Sequence, residues 1–184
     1  VELEGHTDYI RDVKFSPNGK LLCSTSWDRN VIIWEVSTGR RLLTLSGHKN
    51  IVTSAAFNED GTQVVTACRD NQLRVWDVET GELLKTLKGH TDEVWDVDWS
   101  HSSRFIASGA WDDKVRIWDY ETGQEQFSFS GHLKDIESVD FDPKSLILAT
   151  SGGDRMVKIW DLATGSLVVN LSENAHTDDI EEVK

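Results

Sequence analysis

The sequence predicts an all-β fold of repeated four-stranded units, on three observations. Gly-His pairs recur at Gly5-His6, Gly47-His48, Gly89-His90 and Gly131-His132, a constant step of 42 residues. A Trp followed by an acid keeps that step at Trp34-Glu35, Trp76-Asp77, Trp118-Asp119 and Trp160-Asp161, as do the turn glycines Gly39, Gly81, Gly123 and Gly165. Between these markers, short alternating apolar runs such as Val31 to Val36 and Leu73 to Val78 are bounded by Gly, Asn, Asp and Ser, and no stretch has helical periodicity. Three markers held in phase define tandem repeats.

The units read as residues 5–46, 47–88, 89–130 and 131–174, preceded by residues 1–4 and followed by 175–184, where Ala175-His176 opens a fifth unit. Each carries four strand-like runs, in the second unit Ile51 to Phe57, Gln63 to Cys68, Gln72 to Val78 and Glu82 to Leu87. Asp60-Gly61, Arg69-Asp70-Asn71 and Glu79-Thr80-Gly81 separate them with residues that tolerate tight or left-handed backbone, so each unit is a small antiparallel meander. One meander cannot bury both of its faces. At 184 residues and 38% hydrophobic content, the chain can bury a core if the units stack.

The Gly-His to Trp-Asp spacing resembles the WD-repeat family, over nearly the whole chain, and this implies four-stranded blades of a β-propeller. In that family the run before Gly-His is the outer strand of the preceding blade. Residues 1–4 then form an outer-strand stub and Asp179 to Lys184 the start of an innermost strand, so the ring is not closed by this chain. The chain reads as a segment of a longer propeller. The alternative is two copies pairing into an eight-bladed ring.

Four residue types recur at fixed offsets: His6, Ser24, Asp28 and Trp34; His48, Thr66, Asp70 and Trp76; His90, Ser108, Asp112 and Trp118; His132, Thr150, Asp154 and Trp160. The first three of each set invite a hydrolase reading, since an imidazole, a hydroxyl and a carboxylate can make a base, a nucleophile and an orienting group. Four identical copies argue for a framework device instead. WD blades use this set as a hydrogen-bonded network, and the resemblance implies the same role here. His101, His176, Cys23 and Cys68 lack metal-ligand spacing, and Ser151-Gly152-Gly153-Asp154 reads as a strand-to-strand turn rather than a phosphate loop. No cofactor or metal is expected.

The formal charge of -13 would repel a phosphate backbone, which disfavours nucleic acid as a partner. Acidity grows along the chain, from zero over residues 1–42 to -6 over residues 127–184. No run approaches the roughly 20 apolar residues of a membrane span, and the first residues do not resemble a signal peptide. Two unmatched cysteines read as core thiols in a reducing setting, cytoplasmic or nuclear.

The resemblance also implies a top face, where the Gly-His loops and the turns between second and third strands meet around the channel. Carried over by position, it is lined by Tyr9 and Arg11, Ile51 and Thr53, Glu93 and Trp95, Asp135 and Glu137, and Asp179 and Glu181, with Trp27, Arg69, Trp111 and Gly153 before each turn Asp. Trp27, Trp95 and Trp111 fall outside the networks and read as solvent-facing anchors for a partner, unless they pack on Arg29 or Lys114 stems. The neighbouring acids favour a segment carrying Lys or Arg. The expected function is therefore a non-catalytic scaffold that binds other proteins or peptides within a complex, ahead of a purely architectural unit and a hydrolase. Ser37, Glu79, Glu121 and Ala163 stand where many WD-repeat substrate receptors of cullin ligases carry Arg, which weakens that subclass.

Overall fold

The structure is a computed structural model, and it describes residues 2–171, 180, 182 and 183. Sixteen strands form four antiparallel sheets. The first blade holds β1 (Ile10–Phe15), β2 (Leu21–Ser26), β3 (Val31–Glu35) and β4 (Arg40–Leu45). The second holds β5 (Val52–Phe57), β6 (Gln63–Cys68), β7 (Gln72–Asp77) and β8 (Leu83–Lys88). The third holds β9 (Val94–Trp99), β10 (Phe105–Ala110), β11 (Lys114–Asp119) and β12 (Glu125–Ser130), and the fourth β13 (Ile136–Phe141), β14 (Ile147–Gly152), β15 (Val157–Asp161) and β16 (Ser166–Leu171). No helix occurs among the described residues, so none is long and apolar enough to cross a membrane.

The core lies between blades, because each flat sheet has two faces to bury. Cys23, Val31, Ile33 and Leu45 of the first blade meet Val52, Ala55 and Val64 of the second. Val65, Leu73, Val75 and Leu87 meet Val94, Val97 and Ile106, and Ala107, Val115, Ile117 and Phe129 meet Ile136, Val139 and Leu148. Each such aliphatic side chain contributes roughly 1.5–3 kcal/mol when fully buried, a gain one isolated blade would forgo. Both cysteines are free and buried, and burial pushes the Cys68 thiol up to about 12. The innermost strands pack in succession, β1 on β5, β5 on β9 and β9 on β13. Ile10 is 54% exposed where its counterparts Val52, Val94 and Ile136 are 0–1% exposed, because no blade among the described residues packs against that face of the first. The ring is thus open among the described residues.

Hydrogen bonds stitch the innermost strands across the channel wall. Asp12, Ser54, Asp96 and Ser138 occupy one register position, 42 residues apart, alternating acid and hydroxyl. The Ser54 and Ser138 hydroxyls donate to opposite oxygens of Asp96 at 2.6 and 2.9 Å, and the Val139 N–H adds a bond at 2.9 Å. Ser54 also lies 3.3 Å from Asp12. One buried carboxylate thereby ties three blades. Two positions on, Asp98 accepts the Phe141 N–H at 2.7 Å, and burial, opposed by that bond, pushes its carboxyl up to about 7, with Asp140 and Asp96 adding to the rise.

Every innermost strand contains a bulge at the same place. Its register against the neighbouring strand skips Arg11 in β1, Thr53 in β5, Trp95 in β9 and Glu137 in β13. A bulge re-aims the side chain of the residue it releases. All four released residues line one end of the channel.

Candidate functional site

Each blade joins its Gly-His loop to its middle strands through one polar chain. The indole Nε1–H donates to the hydroxyl at 2.8 Å for Trp34 and Ser24, 3.1 Å for Trp76 and Thr66, and 2.9 Å for both Trp118 and Ser108 and Trp160 and Thr150. His Nε2 lies 2.8, 2.9, 2.7 and 2.8 Å from the same oxygens. Nδ1 of His6, His90 and His132 lies 2.8, 3.0 and 2.9 Å from Asp28, Asp112 and Asp154. A carboxylate only accepts, so Nδ1 carries the proton and Nε2 accepts the hydroxyl hydrogen. The turn Asp also accepts the N–H after each loop His, from Thr7, Lys49, Thr91 and Leu133 at 2.9–3.0 Å.

These sets cannot act as nucleophiles as they stand. The hydroxyl residues are 0–2% exposed, and each oxygen already faces an indole and an imidazole, so none is open to solvent. Burial holds His90 and His132 below the usual imidazole range, although their Asp partners pull the other way.

The second blade departs from the pattern. His48 Nδ1 is buried without a partner, because Asp70 pairs with Arg74 at 2.8 Å instead. Its equivalent in the third blade, Arg116, pairs with Glu125 and stays 3.6 Å from Asp112. The second blade has Leu83 at the position of Glu125, so Arg74 has no acid there and takes the turn Asp. Burial and the Arg74 charge bring the His48 imidazole down to about 4.

At the channel mouth, a backbone bond sets each pre-turn residue beside its loop: Trp27 N–H to the Tyr9 carbonyl, Arg69 to Ile51, Trp111 to Glu93, and Gly153 to Asp135, all at 2.9–3.0 Å. In the fourth blade the approach is closest, and a Cβ on Gly152 would sit 2.1 Å from the Asp135 carbonyl oxygen. Tyr9 and Trp27 meet edge to face with ring centres 5.5 Å apart and stay open, 75% and 44% exposed. Trp95 and Trp111 do not face solvent freely as the sequence suggests. They stack on each other at 4.8 Å and 17°, half-buried, with both Nε1–H groups buried and unpartnered. Their cationic neighbours are Arg11 and Arg69, not Arg29 or Lys114: the guanidiniums lie 5.4 and 5.5 Å from the Trp95 ring centre. Arg69 also bonds Glu93 at 2.6 Å. Thr53 is 4% exposed and donates to the Val94 carbonyl at 2.8 Å, so its hydroxyl couples the second and third blades. Arg11, Trp27, Thr53, Arg69, Trp95 and Glu137 surround a cavity of about 420 Å³. Asp135 stands beside it, its carboxyl raised by burial and by the nearby Asp113 and Asp92. Asp179 and Glu181 lie outside the described residues.

The WD domain, G-beta repeat, family model matches residues 1–35, 39–77, 81–119 and 123–161. The chain belongs to the WD-repeat family. Its blades superpose on a solved structure titled Structure of U3-55K, with TM-score 0.86 and 23% identity over 90% of this chain and 53% of that one. Among curated relatives, Protein Mut11 of Chlamydomonas reinhardtii is 52% identical over 42 residues, 23% of this chain and 11% of the relative. A Ribosome biogenesis protein BOP1 homolog of Drosophila erecta is 49% identical over 41 residues, 22% of this chain and 5% of the relative. The matched stretches span about one WD repeat and 5–11% of those proteins.

Within this WD-repeat chain, three features escaped sequence reasoning. The bulges recur in all four described blades but fall on four different residue types, and the acid-hydroxyl belt and the diversion of Asp70 to Arg74 depend on what differs between repeats. The belt had a signal, since Asp12, Ser54, Asp96 and Ser138 alternate at the repeat period.

Proposed function

We propose that this chain is a non-catalytic protein-interaction module of a multiprotein assembly, docking a partner segment on its top face. The observation that carries the reading is the exposed Tyr9–Trp27 pair beside the mouth cavity, whereas the framework tryptophans Trp34, Trp76, Trp118 and Trp160 are 2–5% exposed. Open aromatics at the rim of a concave site anchor partners by burying much area at low entropic cost. Asp92, Glu93, Asp113, Asp135 and Glu137 crowd the rim of the third and fourth blades, which suits a Lys or Arg of the partner. The name of the Drosophila relative favours a ribosome-biogenesis assembly and hence a nuclear setting, and two free buried thiols fit a reducing compartment. Net charge -13 supports a protein rather than a nucleic-acid partner.

The test is affinity capture from the source cell with the parent chain and with a Tyr9→Ala, Trp27→Ala variant. Both rings are exposed, so the variant should keep its thermal midpoint while losing about 2 kcal/mol or more of partner binding. Trp95 and Trp111 are poor choices here, because their stack supports the mouth itself. Equal recovery of the same partner by both chains would reject the top face as its site.

A further inference from the structure

We propose that Arg11 and Arg69 form a recognition site for a carboxylate side chain of the docked segment, so that the partner presents an acid to the first two blades and a base to the last two. This rests on the top-face reading above and adds a ligand class to one half of that face. Arg11 is released by the bulge in β1 and holds its guanidinium 5.4 Å from the Trp95 ring centre; Arg69 is fixed by its turn beside β5 and lies 5.5 and 5.9 Å from the ring centres of Trp95 and Trp111. A guanidinium held against an indole by cation–π attraction does not use up its N–H donors, which stay available to an acceptor. Arg69 spends its Nε–H on Glu93. Arg11 is exposed and makes no ion pair with a carboxylate among the described residues. The indole N–H groups of Trp95 and Trp111 also lack acceptors. Arg11 and Arg69 of the first two blades therefore offer guanidinium donors at the cavity, against the indoles of the third blade, and an acceptor-only group with two oxygens complements them in a bidentate fashion.

The charges of the top face point the same way. At these loop and turn positions Arg11, Arg29, Lys49 and Arg69 outnumber Asp8 in the first two blades, whereas Asp92, Glu93, Asp113, Asp135 and Glu137 outnumber Lys134 and Arg155 in the next two. Glu137 and Arg11 line the same cavity, so a ligand seated in the mouth meets both signs. A purely basic segment would set like charges against Arg11 and Arg69, and a purely acidic one would do so against Asp135 and Glu137. A segment of mixed charge meets neither penalty, and its orientation is fixed.

A double-mutant cycle tests this. The probe is a capped peptide carrying one Glu and one Lys separated by two glycines, with a counterpart whose Glu is replaced by Gln, each titrated into the parent chain and into Arg11→Gln by tryptophan fluorescence. Arg11 is exposed, and the thermal midpoint checks that the variant is folded. Replacing the probe's Glu should weaken binding to the parent about 5-fold or more, and should have almost no effect on Arg11→Gln. Inorganic phosphate at the same concentration should not reproduce the fluorescence change. Equal effects of the Glu replacement on both chains, no binding of the Glu probe to the parent, or saturation of the signal by phosphate would each overturn the carboxylate site. A chain that still captures its partner through Tyr9 and Trp27 in those cases keeps its docking face, so the two readings fail separately.

Discussion

Asp112→Ala is expected to destabilise the chain by about 2–4 kcal/mol, because one carboxylate serves several buried or loop donors. It accepts His90 Nδ1–H and the Thr91 N–H at 3.0 Å each and the Lys114 N–H at 3.2 Å, with Arg116 3.6 Å away. Burial acts to raise its carboxyl, yet the His90 bond and charge, the Thr91 N–H and Arg116 together bring it down to about 2. Removing it leaves a buried imidazole N–H without an acceptor and frees the Gly-His loop of the third blade. Asp70→Ala should act differently: His48 loses nothing, while the buried Arg74 loses its ion pair and the Lys49 N–H its acceptor. Urea denaturation of both variants distinguishes these effects. A loss below about 0.5 kcal/mol for Asp112→Ala in a folded chain would remove the network from the account of stability.

A second large effect is expected from Asp98→Asn, with the opposite sign. Asp98 titrates at about 7 in the folded chain, against about 4 for an unperturbed Asp in the unfolded one. Between those values the folded state holds a proton that the unfolded state has released, so stability falls as pH rises from about 4 to 7 and is level above. Asp112 works the other way, since its low folded value makes its stability fall as pH drops from about 4 to 2. Asn imitates the protonated Asp98 carboxyl and can still accept the Phe141 N–H. It should raise stability by up to roughly 4 kcal/mol at pH 8, and by almost nothing at pH 4, because one pKa unit corresponds to 1.36 kcal/mol. Urea denaturation at both pH values measures this. An Asn variant no more stable than the parent at pH 8 would contradict the description of Asp98 as a strained buried acid.

Residue types common to all repeats were legible in the sequence; the shared bulges, which no residue type marks, and the consequences of differences between repeats were not. His90, Ser108, Asp112 and Trp118 recur at fixed offsets, so a reader can place them together without coordinates, and the strands of the second blade fall within a residue of the expected runs. Asp70 obeys the same offset, yet a competing cation four residues on and Leu83 across the sheet redirect it. Trp95 and Trp111 stood out as unassigned aromatics, but their stack on each other and on Arg11 and Arg69 depends on which blades are neighbours. Thr53 shares its bulge position with Arg11, Trp95 and Glu137, but its short side chain reaches only the next blade's carbonyl. Repeat periodicity fixes which positions converge at the mouth. Side-chain length and charge decide what each of them does there.

The central claim, that a partner segment sits at the channel mouth, is tested most directly by hydrogen exchange on the chain with and without its captured partner. Slowed exchange is predicted in the Gly-His loops and the turns around Tyr9, Arg11, Trp27 and Arg69, with the outer strands β4, β8, β12 and β16 unchanged. Protection confined to those outer strands, with the mouth exchanging as in the free chain, would contradict it.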